Sequence, residues 1–174
     1  MDESHNKIDA YYLYNWLTMH LEEKQVKQLS KLIGYRLGIF SRKQYWHLYQ
    51  ECAVLNTFLV IYMTNSIIKD DNDTHSIIDH FLERTTSGVF KKLEDYNPSF
   101  SSLYTERISK YYEISNQNNP MLGWSGEFLC SVFQTHKVLM TFKTIDVAAY
   151  IKVNCDDLMN ILNVRSELDD ETEE

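Results

Sequence analysis

The stretch 42–68, RKQYWHLYQECAVLNTFLVIYMTNSII, decides the fold. Tyr45, Leu48, Cys52, Leu55, Leu59 and Tyr62 recur in it at three- and four-residue spacing, and Val54, Phe58 and Ile61 occupy a neighbouring face. A helix that is apolar over most of its circumference must be buried on most sides. The stretch is therefore read as the central helix of a bundle. No Gly or Pro occurs between Ile39 and Ser87, and the whole chain of 174 residues has five Gly and two Pro. With the strongest breakers of regular structure so scarce, an all-α fold of five to six helices is expected. The length suits one domain.

Working outward, residues 8–37 carry two apolar stripes that differ in phase. Leu13, Trp16, Leu17 and Leu21 form one, and Val26, Leu29, Ile33 and Leu37 the other, with Glu22-Glu23-Lys24-Gln25 between them, so a kink or break is expected there. Gly34 and Gly38 loosen the chain before Ser41, a candidate N-cap. Downstream, Asp70-Asp71-Asn72-Asp73 ends the central helix and caps a third, with Ile77, Ile78, Phe81 and Leu82 on its core face. The short loop predicts that these two helices are antiparallel neighbours. Asn97-Pro98-Ser99 is a turn before a fourth helix with Leu103, Arg107, Ile108, Tyr111 and Ile114 on one side. Residues 116–126 read as a loop. A fifth helix presents Phe128, Leu129, Val132, Phe133, His136 and Leu139, and a sixth Val147, Ile151, Cys155, Leu158, Ile161 and Leu162.

The formal charge of −8 is concentrated at the end, where six acids lie within residues 167–174. Without those six the chain holds 19 acids against 17 bases. Residues 1–166 are thus expected to form the bundle domain and 167–174 a disordered acidic tail. A body without a strong basic excess disfavours nucleic-acid binding. Cys52, Cys130 and Cys155 are odd in number, far apart and set in apolar patterns, as reduced core thiols are. The polar opening Met-Asp-Glu-Ser-His has no apolar signal segment, and polar residues interrupt 52–68 too often for a membrane span. A cytoplasmic location is expected.

The chain has no glycine-rich phosphate loop, Cys-x-x-Cys, His-Glu-x-x-His or Gly-x-Ser-x-Gly motif. No cofactor is expected. The best metal-ligand pattern is His75, Asp79 and Glu83, spaced four apart along one helix face, against the simpler reading of an acidic, solvated helix start. His47 and Glu51 form another four-spaced pair, but antiparallel packing puts them too far from His75 to share an ion. Lys24, Lys27 and Lys31 share a basic face, and His20 and His136 fall on apolar stripes.

Arg42-Lys43-Gln44-Tyr45-Trp46-His47 has the Arg-x4-His spacing that resembles the signature of HEPN ribonucleases, which are small all-α proteins. The resemblance implies metal-independent RNA cleavage by Arg42 and His47 across a homodimer cleft. Lys43 stands where that family usually has Asn, Asp or His.

Aromatics make up 13% of the chain and include twelve Tyr, a supply that favours contact surfaces. Met121, Leu122 and Trp124 fall in the expected loop, and Tyr111-Tyr112 cannot both face one core. These five residues are the expected binding surface of a non-catalytic protein-binding module, a regulator, adaptor or inhibitor with a protein partner. The alternatives are the ribonuclease and a pocket for an apolar small ligand among helices two, five and six.

Overall fold

The computed structural model describes residues 3–37, 42–134 and 142–170. It is built from helices α1 (Glu3–His20), α2 (Glu23–Leu32), α3 (Arg42–Ile67), α4 (Asp71–Thr85), α5 (Lys91–Tyr96), α6 (Phe100–Ser115), α7 (Pro120–Phe133) and α8 (Phe142–Asp170). A π-helical turn, Thr86–Phe90, joins α4 to α5 without a break, so the described residues form seven helical rods where five to six were expected. No strand occurs among them. Every residue in 50–61 is buried, and α3 packs against α1, α2, α4, α6, α7 and α8.

The expected break in the first helical region is present: α1 ends at His20 and α2 begins at Glu23. Leu13, Trp16, Leu17 and Leu21 are buried before it, and Val26, Leu29 and Ile33 after it. Gly34, at φ +67°, ends α2. There the Tyr35 N–H donates to the Ser30 carbonyl (2.8 Å) and the Gly34 N–H to that of Lys31 (3.1 Å). These are the paired bonds of a Schellman cap, whose left-handed residue is cheapest as glycine.

Asp70 caps α4 by accepting from the Asn72 and Asp73 N–H groups at 2.9 and 3.0 Å. The resulting helix lies chiefly on α1, with only a few contacts to α3, so the short loop makes α3 and α4 weaker neighbours than expected. The buried Asn6–Asp73 hydrogen bond (3.0 Å) ties α4 to α1. At the π turn, a Cβ on Gly88 would lie 2.3 Å from the Tyr14 hydroxyl, so the glycine admits a close approach of α1.

The largest departure from expectation lies in 116–126, where α7 begins at Pro120. The Asn119 side chain accepts from the Leu122 N–H (3.5 Å), and Pro120 occupies the first turn, where its missing N–H costs nothing. Gly123 does not break this helix. A Cβ there would meet Ile114 at 2.4 Å, so the glycine lets α6 and α7 close on each other. Residues 135–141 separate α7 from α8; they and Ser41 lie outside the described residues, which removes the capping of Ser41 and the setting of His136 and Leu139 from view. The α8 backbone continues to Asp170, within the acidic segment that was expected to be disordered, and residues 171–174 are outside the described set. Among the described residues, no helix is long and apolar enough to cross a membrane.

Leu55 and Leu59 are fully buried on α3, and truncation of a packed leucine leaves a cavity. Leu55→Ala and Leu59→Ala are each expected to lose about 2–5 kcal/mol in urea denaturation. Val153→Ala, at a 57% exposed position on α8, should change stability by less than about 0.5 kcal/mol. Equal losses at all three positions would overturn the burial of α3.

Candidate functional site

The first two turns of α3 stand at one end of the bundle, where the tip of α5, the turn after it, α6 and α7 enclose a cleft of about 820 Å³. The four-residue spacing of His47 and Glu51 puts both on the helix face that lines it. Arg107 and Lys110 come from α6, Glu127 and Ser131 from α7. The lip is set by Asn97. Its side-chain N–H donates to Gln50 Oε1 on α3 (2.9 Å), and its own oxygen accepts from the Ser99 N–H (3.1 Å), which holds Tyr96 and Pro98 over the opening.

Arg107 is the hub of the charges. Its Nε lies 3.6 Å from Glu51 Oε2, and its Nη1 lies 3.3 Å from Glu106 Oε1 and 3.4 Å from Glu127 Oε1. Lys110 adds contacts of 2.7 Å to Glu106 and 3.8 Å to Glu127. The Glu51 side chain is 0% exposed, whereas the guanidinium above it is 19% exposed. At 3.6 Å the pair attracts without forming a hydrogen bond. Both Glu51 oxygens, Arg107 Nε and Ser131 Oγ, all on residues that line the cleft, are buried and make no hydrogen bond. Such orphans are uncommon in native proteins, and their gathering at one cleft marks a place with unspent capacity to bind.

Burial pushes the Glu51 carboxyl above the ordinary glutamate range, and the Glu127 charge adds to that. Arg107, His47 and the Gln50 side chain pull it back only in part. The Tyr111 phenol is likewise raised, first by burial and then by Glu51. His47 is held differently. Its Nε2 lies 3.2 Å from the carbonyls of both Ser131 and Val132, so this nitrogen carries a proton and donates to the C-terminal turn of α7.

The residues expected to form a binding surface are divided by the structure. Trp124 is 1% exposed; its indole N–H donates to the Tyr111 carbonyl (3.0 Å) and its ring packs edge-on against Phe58 and Tyr62 at 5.1 and 5.0 Å. Tyr111 is also buried and stacks on Phe58 at 5.1 Å. These two rings are core: a helix replaces the expected loop and turns Trp124 inward, and Tyr111 lies on the inward side of α6. Tyr112 is exposed and Met121 and Leu122 are half-buried. None of these five lines the cleft. Of the ribonuclease pair, His47 lines it, while Arg42 is exposed at the first residue of α3 and does not. His75, Asp79 and Glu83 are exposed on α4; His75 bonds the Asp71 carbonyl and Glu83 faces His80 at 3.9 Å. No group of three His, Cys, Asp or Glu that could hold a metal occurs among the described residues. Glu51 and Arg107 were each visible in sequence as a charge within an apolar pattern. Their pairing across more than fifty residues was not.

Two outcomes follow from this packing. Because the folded pKa of Glu51 is raised, the stability linked to it is fully present below its unfolded value, about 4.3, and is lost as pH rises through the folded value. Glu51→Gln should therefore gain melting temperature relative to the native protein as pH is raised from about 4 to about 8, as calorimetry would register; a difference that does not vary with pH would refute the assignment. Trp124→Ala should lose about 3–5 kcal/mol by denaturation, as truncation of a buried aromatic does. A loss under about 0.5 kcal/mol would place the ring outside the core.

No protein-family model matches the chain, and neither a curated protein nor a solved structure does. The chemistry of the cleft rests on its own residues.

Proposed function

We propose that the protein is a non-catalytic binding module that engages a protein partner through the cleft between α3, α6 and α7. The observation that carries this reading is a cleft that holds buried, unsatisfied polar groups and is lined by Tyr96, a member of a partly accessible aromatic cluster. Trp46 stacks on Tyr96 at 5.4 Å and meets Tyr49 edge-on at 5.2 Å, with Tyr45 at 6.0 Å. All four rings remain partly accessible, Tyr96 most at 37%. Protein interfaces draw their energy from a few Trp, Tyr and Arg anchors set beside well-formed pockets. These four rings are different from Trp124, Met121, Leu122, Tyr111 and Tyr112, the residues expected from the sequence to form the surface. A regulator, adaptor or inhibitor in the cytoplasm remains the role to which such a module is suited.

The ribonuclease reading has less support, because the protonated His47 Nε2 is spent on two carbonyls and Arg42 stands outside the cleft. The apolar-ligand reading has less again: Leu55, Leu129 and Ile151, from the three helices it invokes, are each at most 1% exposed in one continuous core.

Affinity capture from native lysate with the wild-type chain, Tyr96→Ala and Tyr12→Ala tests the proposal. Tyr12 is 57% exposed on α1 and serves as the control ring. Loss of an interface anchor costs about 2 kcal/mol or more, so Tyr96→Ala should retain less than about a tenth of the captured partner at an unchanged melting temperature. Tyr12→Ala should capture as the wild type does. Undiminished capture by Tyr96→Ala, or a wild-type chain that captures no saturable partner, would sink the proposal.

A further inference from the structure

We infer that the cleft receives a cationic side chain of the partner, an arginine or lysine, which reaches the Glu51 carboxyl beneath Arg107; this rests on the reading of the cleft as the partner-binding site. Three features of the site converge on a cation. The first is the orphaned carboxyl itself: Glu51 is fully buried, and both of its oxygens lack a hydrogen bond although they line the cleft. Carboxylate oxygens are acceptors only, so the group that completes them must be a donor, and charge-assisted donors bind most strongly.

The second is the balance of charge in the ion-pair network. Arg107 and Lys110 are shared among three carboxyls, those of Glu51, Glu106 and Glu127. One acid is therefore in excess where the groups touch. Lys43 is exposed at the lip, where solvent screens it. Release of Glu51 leaves Arg107 with partners, since its Nη1 already meets Glu106 and Glu127 nearer the mouth. The third is aromatic: Tyr96 lines the cleft and is 37% exposed, and an aromatic face attracts ammonium and guanidinium groups.

The titratable and charged groups that act on Glu51 are His47 and Cys52 on its own helix, Arg107 and the Tyr111 phenol on α6 and Glu127 on α7, and Lys43, Glu106, Lys110 and Cys130 complete those that line the cleft. A bound cation favours the ionised carboxyl that burial disfavours in the free protein. Affinity should consequently fall as pH drops and Glu51 takes up its proton.

The test is a titration of the isotopically labelled full chain, followed by amide chemical shifts, with acetyl-Gly-Arg-Gly-amide and its lysine and citrulline counterparts. The arginine and lysine peptides should give saturable shifts at Gln50, Glu51 and Asn97, while the neutral citrulline peptide gives none. Glu51→Gln should weaken the arginine peptide at least tenfold and remove the fall in its affinity as pH is lowered, in a chain whose spectrum shows it folded. Equal binding of arginine and citrulline peptides, wild-type affinity in Glu51→Gln, or shifts confined to residues outside the cleft would each overturn the inference. If the arginine peptide fails while Tyr96→Ala still abolishes partner capture, only the cation preference falls and the protein-binding reading stands. If the peptide binds as described while Tyr96→Ala captures normally, the cation site stands and the partner lies elsewhere.

Discussion

Burying α3 on all sides obliges the bundle to satisfy the polar groups that this helix carries inward, and much of the architecture answers that constraint. Within the buried run 50–61 lie Gln50, Glu51, Asn56 and Thr57 among eight apolar or small residues. Gln50 is met by Asn97, which fixes the turn between α5 and α6. Asn56 is met by Asn154 at 3.2 Å, which sets the register of α8. Glu51 is approached by Arg107, which orients α6. Apolar burial supplies the energy, being nondirectional and roughly proportional to area. The directional contacts choose which neighbour sits where, because a misplaced partner leaves a buried polar group unpaired at about 1–3 kcal/mol.

Of these three links the Glu51–Arg107 one alone joins charged groups without a hydrogen bond, although the Asn56 side-chain nitrogen is also unpaired, and that places the charged cost where it can do work on a ligand. Desolvating two charges is expensive, and their attraction repays it only with good geometry and further hydrogen bonds. Here the closest approach is 3.6 Å, and neither Glu51 oxygen nor Arg107 Nε makes a hydrogen bond. A site built only for stability would be better served by an apolar pair of the same volume. What the present arrangement retains is a carboxyl shielded from water in the wall of a cleft, beneath bases that can change partners.

The fold was legible wherever a local pattern and the final packing agree. The stripe on α3, the phase change near Glu22 and the acidic cap at Asp70 each report an interaction within a few residues along the chain, and each appears in the structure. Residues 116–126 were misread because Gly123 and Gly126 were weighed as breakers, whereas at Gly123 the missing Cβ makes room for Ile114 of another helix. That signal is tertiary, and no window of sequence contains it. The site failed in the same manner. His47 and Glu51 were visible as a helical pair and Arg107 as a charge on an apolar face, but α3 and α6 meet only after the chain has passed through α4, the π turn and α5.

The aromatic excess shows how one compositional signal can divide between two roles. Phe58, Tyr62, Tyr111 and Trp124 form a closed cluster in which ring contacts of 5.0–5.1 Å and the Trp124–Tyr111 hydrogen bond lock α3, α6 and α7 together. Tyr45, Trp46, Tyr49 and Tyr96 form a second cluster that is open to solvent. Both include residues of α3, the first from its buried middle and the second from its exposed start. The closed cluster therefore fixes the walls of the cleft from behind, since Arg107 and Glu127 project from the helices it joins, and preorganised walls reduce the ordering that a partner must otherwise supply on binding.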